Sequence, residues 1–144
     1  MNKRIRINQA EPAAYRALIA FDDYLTTTGL TQTHKDLIKI RASQINGCSY
    51  CIDLHTRDAR KAGETEQRIY ALSAWRETPF FTSEERAILA LTEEVTFISD
   101  HVKDSTYEGA ASLFTEQYLA QIIMAIISIN AWNRVGIATG MSPV

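Results

Sequence analysis

Cysteine is almost missing from this chain: 144 residues contain two. A disulfide-stapled scaffold, which needs many cysteines in a short chain, is therefore excluded. Glycine and proline are also sparse, six and three, so there are few places where a regular element must break. No stretch alternates apolar and polar residues as a half-buried strand would, and no segment has low complexity. Charge of one sign is not in excess. The net charge is −2, and no run of Lys and Arg offers a footprint for nucleic acid or an anionic membrane. The start, Met1-Asn2-Lys3-Arg4-Ile5-Arg6, is basic but lacks the apolar stretch of a secretory signal. The longest apolar run, Leu119 to Ile129, includes Gln121 and Ser128 and is too short to span a bilayer. A cytoplasmic, reducing location is expected, with neither nucleic acid nor membrane as partner. In that setting a reversible disulfide is useful and a permanent one is not.

What the chain does have is 46% hydrophobic and 22% charged residues, the balance of a globular protein. Its length suits one domain, residues 1–144, with one real core. The spacing predicts helices throughout. Pro12 opens one that runs to about Thr28 before Gly29. A second covers Thr33 to Asn46 and stops at Gly47, and a third ends at Lys61-Ala62-Gly63. A fourth, short helix covers about Glu64 to Trp75, followed by a break over Arg76 to Phe80. Thr82-Ser83-Glu84-Glu85 reads as a capping box and leads into the apolar stripe Ile88, Leu91, Val95, Ile98. Ser105-Thr106-Tyr107-Glu108 starts another short helix. The last runs from about Thr115 to Thr139, with Gly140 as its stop. The fold class is all-α, with about six to seven helices. The middle of the last helix is apolar nearly all round. It is either a central core helix or a helix partly covered by another subunit.

The two cysteines fall together in Gly47-Cys48-Ser49-Tyr50-Cys51-Ile52-Asp53-Leu54-His55. On a helix, positions 48, 51 and 55 share one face. Cys51 and His55 are then one turn apart, so the imidazole can take the thiol proton and raise the fraction of reactive thiolate. A helix start at Gly47 would place both cysteines in the first turn, where the helix dipole adds to that effect. Two other readings stay open. The cysteines could be inert core residues, or Cys48, Cys51 and His55 could be three soft metal ligands, as in catalytic zinc sites. Against the latter, no second C-x-x-C or H-x-x-x-H follows, and His34 and His101 stand alone.

An imidazole base is usually held by a carboxylate. Asp36 lies ten residues before Asn46, roughly 15 Å along its helix, and His55 lies roughly 10 Å along the next. If the two helices fold back on each other, Asp36 comes within reach of His55, directly or through water. Otherwise Asp36 is a first-turn acid favoured by the dipole. Arg41 and Gln44 either hydrogen-bond neighbours or form a solvated stripe. Asn130-Ala131-Trp132-Asn133-Arg134 suits a site wall or an interface.

The stretch Asp36 to His55 closely resembles the core of the AhpD-like alkylhydroperoxidases, in the carboxymuconolactone decarboxylase superfamily. Tyr70 to Phe80 and Ile129 to Arg134 also look like small members. The likeness covers about residues 10 to 140 and is strongest over 34–140. It implies an AhpD-like helical subunit that assembles as a homo-trimer or homo-hexamer. It also implies a peroxidase reaction in which Cys51 attacks a hydroperoxide and becomes a sulfenic acid, Cys48 resolves it to a disulfide, and His55 is the base. The family's upstream acid, usually glutamate, falls on Asp36, one methylene shorter. Tyr50 stands where the best-known members carry a second histidine, leaving the Tyr50 hydroxyl as a candidate proton donor. The resemblance implies no bound cofactor and no metal. A peroxide or other small molecule would be the substrate and an external dithiol the reductant. The alternatives are a lactone decarboxylase, which would need oxyanion donors rather than a dithiol, and a non-enzymatic redox-sensing or metal-binding oligomer.

Overall fold

The structure is a computed structural model that describes residues 4–144. The basic start noted above lies partly outside the described residues, which begin at Arg4. Eight α-helices follow in order: α1 (Ile7–Ala10), α2 (Pro12–Thr26), α3 (Gln32–Asn46), α4 (Ser49–Lys61), α5 (Glu66–Ala71), α6 (Ser83–Thr96), α7 (Asp104–Ala111) and α8 (Glu116–Thr139). Short 3₁₀ turns cover Leu72–Glu77 and Ile98–Asp100. There is no strand among the described residues, so the all-α expectation holds.

Most helix ends follow the expected chemistry. Thr82 accepts from the Glu85 amide while the Glu85 carboxylate accepts from the Thr82 amide, completing the capping box. Gly47 and Gly140 close α3 and α8 in the left-handed conformation, at φ 68° and 69°, where a Cβ would be strained. The fourth helix departs from expectation. It ends at Ala71, and the chain tightens into the 3₁₀ turn with Ala74 outside helical geometry. The cause lies on α6. The Arg86 guanidinium donates to the carbonyls of Trp75, Arg76 and Thr78 at 3.1, 2.9 and 3.2 Å, which favours a turn over continued helix.

α3 is the centre of the molecule. Ile38 and Ala42 face a core shared with Leu25, Ile88, Leu91, Ile122, Ile126 and Ile129. Leu37 and Ile40 face a second core with Ala59, Leu72, Trp75, Phe81 and Leu89. Each such Leu or Ile contributes about 1.5–3 kcal/mol on full burial, so the position of α3 is fixed from both sides. α8 packs against α2, α3, α4, α6 and α7. By length and hydropathy it could pass for a membrane span, yet Ser128, Asn130 and Asn133 are buried within the bundle. The expectation of a central core helix is met in part. Ile122, Ile126 and Ile129 are internal core, while Met124, Ile127 and Ile137 are exposed.

Candidate active site

The turn between α3 and α4 carries the cysteines. The Gly47 amide donates to the Gln44 carbonyl and the Cys48 amide to that of Ser43, so the chain reverses as a hydrogen-bonded helix end. Cys48 is not in the first turn of α4, as the spacing had implied, but at its N-cap. Its Sγ accepts from the Cys51 amide at 3.4 Å. Cys51 is the third residue of α4, close to the positive end of the helix dipole. The two are joined by a disulfide, Cα to Cα 5.3 Å, and are 2% and 4% exposed.

A polar network fixes this turn from behind. Asn46 Nδ2 donates to the side-chain oxygens of Asn130 and Asn133, both at 2.9 Å. Asn133 Nδ2 donates to Ser43 Oγ, which donates to the Lys39 carbonyl. Asn130 Nδ2 donates to Thr96 Oγ1 and the Ile126 carbonyl, and Arg134 donates back to Asn130. Buried amides without partners would cost about 1–3 kcal/mol each; here all are satisfied. The Asn130-to-Arg134 segment is thus the wall that holds the end of α3 from which the chain turns into the cysteine pair. Trp132 packs edge-on against Tyr15 at 5.5 Å, tying α2 to the same helix.

His55 follows Cys51 by one turn of α4 and is half-buried. Burial is the main reason its pKa falls to about 4; the Lys39 charge adds to the fall, while Asp58 and Asp22 oppose it. The ring is therefore neutral near pH 7. Lys39 is also within 3.9 Å of Asp22. Asp36 is buried, and its carboxylate accepts from Gln32 at 2.8 Å. No hydrogen bond joins Asp36 to His55 among the described residues. Asp36 instead borders a polar cleft of about 340 Å³ with Glu64, Arg68 and Glu85. Its pKa is raised, chiefly by burial, against the hydrogen bond from Gln32 and the charge of Lys39. Tyr50 is half-buried. Asp53 is paired with Arg57 at 2.6 Å, a surface contact along the helix.

Arg41 is not a solvated residue. Its guanidinium holds Glu93 at 2.9 Å and reaches Gln44 at 3.2 Å. Glu93 also accepts from Trp75 Nε1 at 2.8 Å and from Arg76. Burial alone would raise the Glu93 pKa, but the hydrogen bonds from Trp75, Arg76 and Arg41 outweigh it and hold the carboxylate low. This cluster joins α3, the 3₁₀ turn and α6. Among the described residues, no three His, Cys, Asp or Glu side chains converge as a metal-ligand set.

One site residue was missed by sequence reasoning. Gly136 lies in the interior of α8, and a Cβ there would stand 3.1 Å from Cys48 Sγ and 3.8 Å from Cys51 Sγ. The signal was available: a glycine in a helix interior costs about 1 kcal/mol relative to alanine and calls for a packing reason. On another face of α8 an apolar cleft of about 600 Å³ is bordered by Leu91, Val95, Ile123 and Ile127, with Asn130 and Arg134 at its polar edge.

Residues 12–94 match the Carboxymuconolactone decarboxylase family. The chain belongs to that family. The Uncharacterized protein YdfG of Bacillus subtilis (strain 168) is 42% identical over 97% of this chain and 96% of its own. The crystal structure of ATU0492 from Agrobacterium tumefaciens superposes with a TM-score of 0.95 at 37% identity, covering 99% of both chains. It is described as a protein of unknown function, with AhpD-type antioxidant defence suggested. An AhpD-core, peroxidase-related protein from Ralstonia eutropha JMP134 has a TM-score of 0.83 at 23% identity, over 95% of this chain and 74% of that one. That last likeness concerns the fold alone. The family match and the 37% identical structure place the chain among the AhpD-like members of the family, whose general character is enzymatic.

Proposed function

We propose that this protein is a thiol peroxidase that reduces organic hydroperoxides through the Cys48–Cys51 pair. The observation that carries the reading is the pair itself: two cysteines bridged at a helix start, with a neutral imidazole one turn beyond the second. In the dithiol form Cys51 lies in the first turn of α4, where the helix terminus favours a thiolate, and His55 accepts the proton. The thiolate attacks the terminal oxygen of ROOH. An S–O bond forms, the O–O bond breaks, and the alkoxide leaves as ROH after taking a proton, from the His55 imidazolium or the Tyr50 hydroxyl. Cys51 is then a sulfenic acid. The Cys48 thiol attacks its sulfur, expelling water and forming the disulfide. An external dithiol supplies two electrons and two protons to restore the pair.

His55 meets this task in a particular way. A pKa of about 4 in the disulfide form makes it a weak base while no anion is beside it. A thiolate at Cys51 supplies the missing counter-charge and raises it, so base and nucleophile would be activated together. Asp36, held by Gln32, would act on His55 only through space or through water. The exposed apolar face of α8, with Ile127 and Met124 at its centre, would be covered in a homo-oligomer.

The test is turnover. Reduced protein with cumene hydroperoxide and a panel of dithiols should consume peroxide continuously, and Cys51→Ser should not. Wild-type turnover no faster than that of Cys51→Ser would refute the reading.

A further inference from the structure

We propose that Gly136 is a positioning residue that keeps the Cys48–Cys51 disulfide reducible, by leaving beside the sulfurs the room that two thiols need. The proposal rests on the redox reading above. The glycines of this chain divide by what holds them. Gly47, Gly63 and Gly140 have positive φ and belong to turns. Gly109 has nothing within 4 Å of a built Cβ, and Gly29 meets only the end of the Gln121 side chain, at 3.8 Å. Gly136 is buried inside α8 with helical backbone, so neither a turn nor a cap explains it. Its neighbours are the two sulfurs, at 3.1 and 3.8 Å from where a Cβ would be. The α8 backbone thus forms one wall of the redox pair, and the absent side chain sets its clearance.

Reduction changes the volume of that pair. A dithiol R(SH)₂ gives up two electrons and two protons and closes to its own disulfide; the Cys48–Cys51 bond breaks and two S–H bonds form. Two thiols need more room than two bonded sulfurs, because the covalent bond holds the sulfur centres well inside their contact distance. Both cysteines are buried, so that room must come from the neighbours, and Gly136 adjoins both sulfurs. A methyl group at 136 crowds the dithiol more than the disulfide and shifts the equilibrium towards the disulfide.

The readout is the redox equilibrium in mixtures of reduced and oxidised dithiothreitol, measured by acid quench, thiol labelling and intact mass. Gly136→Ala should favour the disulfide at least tenfold over wild type, about 30 mV in potential, and Gly136→Val should go further. The gain in helix propensity stabilises both redox forms and cancels in this ratio. Gly109→Ala, which meets nothing, should leave the ratio unchanged. A Gly136→Ala ratio within twofold of wild type, or a shift towards the dithiol, overturns the proposal. If the variants do not fold, wild-type amide exchange decides it. Because wild type already has the room, the backbone amides of residues 137 to 141 should slow or quicken between dithiol and disulfide only as much as those of the α6 core do, and extra exchange in the dithiol confined to residues 137 to 141 overturns the proposal. Wild type that does not interconvert at all overturns the redox reading itself, whereas wild type that cycles while Gly136→Ala matches it overturns only the role of Gly136.

Discussion

Replacing His55 by glutamine should remove an acid-sensitive part of the stability. In the unfolded chain the imidazole titrates near 6.5, and in the fold at about 4. The unfolded state therefore binds more protons between those values. The stability tied to the neutral ring is complete above about pH 6.5 and is lost as pH falls towards 4. The gap of about 2.5 units has a ceiling of about 3 kcal/mol, of which about 2 kcal/mol is lost by pH 5. The charged groups that act on the ring are Lys39, which opposes its protonation, and Asp58 and Asp22, which favour it. Urea unfolding of the disulfide form at pH 7 and pH 5 measures the effect without interference from thiol titration. Wild type should lose about 2 kcal/mol more than His55→Gln between the two pH values, with His34 common to both. Equal losses would show that the ring is not desolvated in the fold and would remove the basis for treating it as a neutral, shielded base.

Asp36→Asn should slow reaction of the dithiol with hydroperoxide less than His55→Ala, which should cost about 10²–10⁴-fold if His55 is the general base; stopped-flow rates compare them. Because burial raises the Asp36 pKa, its charged form weighs against folding above about pH 4, so Asp36→Asn should be no less stable than wild type at pH 7. Glu93→Ala should destabilise the fold by about 1–3 kcal/mol in urea, since Arg41 and the Trp75 indole N–H would lose a partly buried acceptor. Ile126 is fully buried and Ile127 is 43% exposed, so Ile126→Asp should abolish helicity, while Ile127→Asp should stay folded and scatter light as a smaller particle. Wild type already at the mass of one chain, 16.2 kDa, would remove the oligomer.

Much of the fold was legible because its helix ends carry local chemistry. Thr82 and Glu85 form a capping box, Gly47 and Gly140 take left-handed φ, and Pro12 opens α2. The early end of α5 was not legible, because it is set by Arg86, whose bonds to the turn span eight to eleven residues. The cysteine pair and His55 were legible because one helix carries their spacing. The placement of Asp36 was not. Rise per residue gives height along an axis but not the rotation of α3, and the structure turns the carboxylate to Gln32. The roles of Arg41 and of the Asn130-to-Arg134 segment could be settled only by long-range partners, Glu93 in one case and Asn46 in the other. Gly136 carried a local signal, a glycine inside a helix, but its reason lies with Cys48 and Cys51.

The most direct test of the central claim is a single turnover. One equivalent of cumene hydroperoxide added to the dithiol protein should lower its mass by two hydrogens and yield one equivalent of the alcohol. The same experiment on Cys48→Ser should stop at a Cys51 sulfenic acid trapped by dimedone. A dithiol that persists in excess hydroperoxide, with no alcohol formed, would contradict the account.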